Sequence, residues 1–140
     1  MAISLFNTPA ETATRLAICL IYLPRPATLD EITAIDLAAT YMKQFGFDNQ
    51  SLHGDTPYAA AEYEARRRRV HAGLGRLVRT GLADTRDNGI TFSKTTICHD
   101  FAVSMRGHYA ETYSESVARL VEDGIDTVVD HVHHAGVNHG

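Results

Sequence analysis

The sequence predicts a mainly α-helical fold that carries one small β-hairpin and ends in a long C-terminal helical extension. Three observations lead there. Apolar residues recur at three- and four-residue spacing through four separate stretches, the signature of amphipathic helices. The first two stretches open with capping-box patterns, Thr8-Pro9-Ala10-Glu11 and Thr28-Leu29-Asp30-Glu31. A strong turn dipeptide, Asn88-Gly89, is followed by the strand formers Ile90-Thr91-Phe92.

The elements follow in order. Thr8 is the expected N-cap of a first helix with Pro9 at its first position, and Ala13, Leu16, Ala17, Leu20 and Leu23 form its inward face. Pro24-Arg25-Pro26 ends it, because neither proline continues the hydrogen-bond ladder. A second helix runs from Thr28 to about Tyr41–Phe45, with Gly46 as its stop. Residues 46–57 read as a long loop. A third helix is expected over roughly Tyr58–Thr80, striped by Tyr63, Val70, Leu74 and Leu77, with Gly81 after its end. Gly73 and Gly75, each about 1 kcal/mol worse than alanine in a helix, imply close approach by another helix. The hairpin covers about 82–92. A fourth helix is expected from Ile97 to Val121, with Gly107 as a weak interruption. Ile125, Val128, Val129 and Val132 extend helical character to about residue 130, and 131–140 reads as a flexible, histidine-containing tail.

Helix, helix, long helix, hairpin, long helix is the order of a winged-helix-like domain, residues 1–95, followed by amphipathic helix at 96–130. At 140 residues the chain has the length of one domain and sustains a core. Its longest apolar run, Leu16–Leu23, is far short of the roughly 20 residues that cross a bilayer. The first residues carry no basic region, so no secretory signal is expected. Cys19 and Cys98 sit among apolar neighbours and suit neither a disulfide framework nor a zinc site; a reducing cytoplasm is the expected compartment.

The net charge of −4 conceals an asymmetry. Residues 1–61 carry −3, residues 62–110 carry +4 and residues 111–140 carry −5, and seven of the thirteen basic residues lie between Arg66 and Arg86. Such a chain does not coat nucleic acid over its whole surface, but one basic face remains available to a partner. Arg66-Arg67-Arg68-Arg69 is the most unusual feature. Successive helical positions turn by about 100°, so the four point in different directions. With Tyr63, Val70, Leu74 and Leu77 inward, Arg66 and Arg67 fall near the buried side and Arg68 and Arg69 outward. Together with Arg76, Arg79 and Arg86 they are the candidate contacts to a partner or to nucleic acid. Glu62 and Glu64, at the start of the same helix, oppose phosphate binding there.

No catalytic set emerges. Cys98 and His99 are adjacent and diverge on a helix, His53 and His71 stand alone, and Gly73-Leu74-Gly75 lacks the strand and lysine of a phosphate loop. His131, His133, His134 and His139 have no cysteine or carboxylate set behind them, so no metal or other cofactor is expected. A binding or scaffolding role is therefore expected rather than an enzymatic one. Phe101, Met105, Tyr109, Tyr113, Val117 and Leu120 make an aromatic-rich stripe longer than the core requires, the candidate interface to a partner subunit or a second copy.

The ordered series Phe6-Asn7-Thr8-Pro9, Ile35-Asp36-Leu37-Ala38, Ser51-Leu52-His53, Pro57-Tyr58, Gly73-Leu74 and Gly81-Leu82 resembles the middle component, type 2, of bacterial ABC three-component systems. The likeness extends over about residues 6–121. In that family an aromatic tends to follow the aspartate, where this chain has Leu37. The resemblance implies a small accessory subunit related to Lamassu-type antiphage defence operons. Its implied partners are an SMC-like coiled-coil ATPase, contacted at the head region, and an effector subunit, often a nuclease. DNA contact within the assembly and a homodimer are compatible with it. It implies no catalytic residues. The alternative from the element order and the arginines is a free winged-helix DNA-binding transcription regulator.

Overall fold

The computed structural model describes residues 8–40, 62–105 and 107–139, with side chains described through residue 133. These residues form six helices and a three-stranded antiparallel sheet: α1 (Pro9–Tyr22), β1 (Ala27–Thr28), α2 (Leu29–Thr40), α3 (Tyr63–Arg79), β2 (Ala83–Arg86), β3 (Thr91–Lys94), α4 (Thr96–Val103), α5 (His108–Asp123) and α6 (Ile125–His139).

Local chemistry sets the boundaries. Thr8 caps α1 by accepting from the Glu11 amide, and its hydroxyl also meets the Glu11 carboxylate. Thr28 and Glu31 complete a reciprocal capping box: the Glu31 amide donates to Thr28 Oγ1 at 3.1 Å, and the Thr28 amide donates to Glu31 Oε1 at 2.9 Å. At the end of α3 the Leu82 amide donates to the Leu77 carbonyl and the Gly81 amide to that of Val78. Gly81 takes a φ of +81°, the left-handed position that a Schellman motif requires.

The hairpin has its tip at 87–90, where Asp87, Asn88 and Gly89 all have positive φ. A third strand joins it. Ala27 pairs with Phe92 and Thr28 with Thr91, giving the order β1-β3-β2. The capping signature at Thr28 concealed this two-residue strand, since one threonine serves both roles. Ala27, Ala83 and Phe92 are buried and close one end of the core with the sheet.

Two helices form the centre. α1 packs against α3, α4 and α5, while α2 packs against α3, α5 and α6. Every residue of α2 from Ile32 to Thr40 is buried. Gly73 is the point of closest approach between α3 and α1: a Cβ there would stand 2.9 Å from Leu16 Cδ1 and 3.2 Å from Thr12 Cγ2. The expectation for Gly73 therefore holds. At Gly75 the nearest atom belongs to Arg79 of the same helix, so no other helix among the described residues approaches there.

Three expectations are corrected. The fourth helix is two helices: Gly107, with φ +112°, separates α4 from α5, so the glycine is a break and not a weak interruption. Residues 131–139 belong to α6 and not to a tail, because Ile125, Val128 and Val132 are buried along its inner face. The division at residue 95 does not separate a core from an extension, because α4, α5 and α6 pack directly on α1 and α2. The long loop, the Gly46 stop, Ser51-Leu52-His53 and Pro57-Tyr58 lie outside the described residues.

Candidate interaction surface and the buried ion cluster beneath it

The consecutive arginines of α3 have three different fates, decided by the direction each takes around the helix. Arg66 points inward and is 4% exposed. Its Nη1 donates to Asp36 Oδ2 at 2.9 Å and to Thr40 Oγ1 at 3.2 Å. Arg67 lies to the side, where its Nε donates to Asp30 Oδ1 at 2.7 Å, an oxygen that also accepts from the Tyr63 hydroxyl at 3.0 Å. Arg68 points into solvent and Arg69 is half-buried, with no ion pair or hydrogen bond to either among the described residues.

Asp36 is the centre of the cluster that Arg66 joins. From α1, Arg15 offers a two-pronged contact, Nε to Oδ1 at 2.7 Å and Nη2 to Oδ2 at 3.0 Å. From α5, the Tyr113 hydroxyl donates to Oδ1 at 2.6 Å. One carboxylate thus gathers donors from α1, α3 and α5. Burial alone would raise the Asp36 carboxyl, but the adjacent Arg15 and Arg66 guanidiniums outweigh it and hold the group well below the usual carboxylate range. Burial and the nearby carboxylate push the Tyr113 hydroxyl far above its ordinary value, so it remains a proton donor. Such an arrangement orients helices but presents nothing to a substrate, because Arg15, Asp36 and Tyr113 are each at most 1% exposed.

The stripe proposed from the sequence as a subunit interface is divided by the structure. Tyr113, Val117 and Leu120 are 0% exposed and belong to the core, so they are withdrawn from any interface. The reason is the break at Gly107, which lets α5 turn its apolar face back onto α1 and α2. Phe101, Met105 and Tyr109 are half-buried. Met105 lines a groove of about 380 Å³ between α1, α4 and α5, together with Ile18, Ile21, Tyr22 and Val103, and with Glu111 and Glu115 among its polar residues. Tyr22 and Val103 are exposed, 38% and 49%.

Sequence reasoning placed Arg66 near the core but did not identify Asp36, Arg15 and Tyr113 as its company. The available signal was Arg15 and Asp36, two charged residues inside otherwise apolar helical stretches. Arg76, Arg79 and Arg86 are exposed, with no ion pair among the described residues. Cys19 and Cys98 are buried free thiols, and burial pushes Cys98 up to about 11, which leaves it an inert packing group. Among the described residues no three histidines, cysteines or carboxylates converge as a metal site, and no helix is long and apolar enough to cross a membrane.

The fold defines a small, mainly helical protein whose Asp36 ion cluster is buried among α1, α2, α3 and α5. The chain belongs to the family of Middle Component 2 of ABC-three component (ABC-3C) systems, whose family model matches residues 5–132. No curated protein and no solved structure matches it.

Proposed function

We propose that this protein is a non-enzymatic accessory subunit of an ABC-3C assembly, with a winged-helix-like core formed by α1, α2, α3 and the sheet. The family match over residues 5–132 carries the reading, since a middle component acts beside other components. Its partners are an SMC-like coiled-coil ATPase, bound at the head region, and an effector subunit, in a cytoplasmic antiphage defence system of the Lamassu type. The burial of Asp36 by its own helices supports a non-catalytic role, because the most strongly perturbed carboxylate among the described residues is engaged in holding the fold. The groove lined by Met105, Tyr22 and Val103 is the proposed seat of a partner segment, with Glu111 and Glu115 favouring basic residues in that segment.

The test is co-expression of the tagged full chain with the ATPase and effector encoded beside it. Co-elution at fixed stoichiometry is the expected result, reduced by Met105→Glu with Val103→Glu. A chain that elutes alone, with no partner retained, overturns the reading.

A further inference from the structure

We propose that the outer face of α3 binds the phosphate backbone of duplex DNA through Arg68, Arg69, Arg76 and Arg79. This inference stands apart from the accessory-subunit reading, because it rests on one helix face and needs no second subunit.

At 100° per residue the four arginines fall within an arc of about 100°, on the side opposite Val70, Leu74 and Leu77. From Arg68 to Arg79 the strip runs about 16 Å along the helix axis. Among the described residues none of the four has an ion pair or hydrogen bond. This contrasts with Arg15, Arg25, Arg66 and Arg67, all paired to carboxylates. Arg69 is half-buried, and burial together with the neighbouring Arg66 lowers its pKa, outweighing the opposing pull of Glu62 and Asp36. Among the described residues neither carboxylate that begins the helix forms an ion pair with the strip. Glu62 lies 3.8 Å from Arg66, and Glu64 makes no ion pair with Arg68 one turn further on.

The residues between the arginines choose the occupant. Ala65 and Ala72 share the arc and Gly75 lies just beyond its edge, so the strip has no apolar side chain larger than a methyl group. Protein interfaces draw their binding energy from buried aromatic and large aliphatic anchors, and this face offers none. Single-stranded nucleic acid is gripped by stacking on aromatic rings, also absent here. Guanidinium forks match phosphate oxygens, and small residues between them let a rigid, regularly charged backbone approach the helix closely.

Beside the strip, Pro9 and Thr12 of α1 join Ala65, Arg68, Arg69 and Ala72 to form a groove of about 310 Å³. Its floor of proline, alanine and threonine suits sugar faces, with the two arginines placed for the adjoining phosphates. Thr12 Oγ1 is buried there with no hydrogen-bond partner among the described residues.

The experiment is titration of the full-length chain into a fluorescent duplex, followed by anisotropy between roughly 50 and 200 mM salt. Four phosphate contacts predict a log–log salt slope of about −3 to −4, and Arg68→Gln with Arg69→Gln should flatten it by about 2 and weaken binding about tenfold or more at the middle of that range. Arg76→Gln with Arg79→Gln, at the other end of the strip, should do the same and serves if the first pair perturbs folding by circular dichroism. Arg25→Gln, on a paired arginine away from α3, should leave both quantities unchanged. No binding by micromolar chain at the lowest salt overturns the proposal, as does a slope unaltered in both double variants. Displacement of the duplex by poly-glutamate as effectively as by unlabelled duplex also overturns it, in favour of an acidic protein. None of these readouts involves the ATPase, so failure here leaves the co-elution result intact.

Discussion

The inner and outer faces of α3 are both marked by arginine, and they put it to opposite use. On the inner face Arg66 shares the Asp36 carboxylate with Arg15 and Tyr113, out of contact with water. On the outer face Arg68, Arg76 and Arg79 stand in solvent with no carboxylate bound to them among the described residues. A buried guanidinium demands a fixed partner, because its desolvation is otherwise uncompensated. An exposed one needs none, and its field remains available to whatever approaches. The same residue type at adjacent positions therefore holds the fold in one case and faces partners in the other.

The contrast is broken most severely at Asp36. Asp36→Asn leaves Arg15 and Arg66 buried without their counter-charge, and a loss of about 3–5 kcal/mol in urea-unfolding stability is expected. The same carboxylate sets the acid limit. Its folded pKa is depressed, so as pH falls through about 4 the unfolded chain takes up the proton first. The stabilisation is complete above that value and fades below it. Asp30 beside Arg67 and Glu31 beside Arg25 shift in the same direction and add smaller shares, Asp30 being exposed and Glu31 half-buried. Thermal midpoints measured from pH 7 to pH 3 should fall along this limb; a flat profile would show that the folded pKa is not depressed, and a profile rising toward acid that the carboxyl is protonated in the folded chain.

Tyr113→Phe keeps the ring and removes only the hydroxyl that donates to Asp36. It should lower stability by about 1.5–3 kcal/mol without altering the circular dichroism spectrum of the folded chain. Thr12→Val sharpens the comparison from between the two faces. Its hydroxyl is buried with no partner among the described residues, so the isosteric change is expected to raise stability, by up to about 1 kcal/mol, in the same unfolding measurement. The smallest effect belongs outside: Arg68→Gln with Arg69→Gln should move unfolding stability by no more than about 0.5 kcal/mol. A loss comparable to that at Tyr113 would mean that these arginines support the fold after all.

Much of the architecture was legible because local signals agreed with one another. Thr8, Thr28, Gly81 and Asn88-Gly89 each mark a boundary by their own backbone chemistry, and each stands where the sequence places it. The burial of Leu74 and Leu77 followed from helical period alone. The errors lie where a distant contact decides. Periodicity runs through Gly107 undisturbed, so only packing reveals that α5 folds back and takes Tyr113, Val117 and Leu120 into the core. The strand at Ala27–Thr28 is too short to show a period. The Asp36 cluster joins residues 21, 30 and 77 positions away from it, a distance over which spacing carries no information. At the candidate surface the directions of Arg66 to Arg69 could be read from the wheel, but which of them has a counter-charge could not.

The reach of Asp36 along the chain also orders events during synthesis. The aspartate and its first partner, Arg15, leave the ribosome early, and Arg66 follows. Tyr113 comes last of the three, 77 residues after the carboxylate it donates to. Until α5 and α6 emerge, the apolar flank of α2 that they cover has no native lid. A nascent chain halted just beyond the hairpin would hold the two arginines and the aspartate with the tyrosine missing, and would expose hydrophobic surface to chaperones. The polypeptide is thus committed to its final shape only once α5 and α6 have been made. Insertions or truncations within α5 or α6 should prove harder to tolerate than the modest size of these helices suggests.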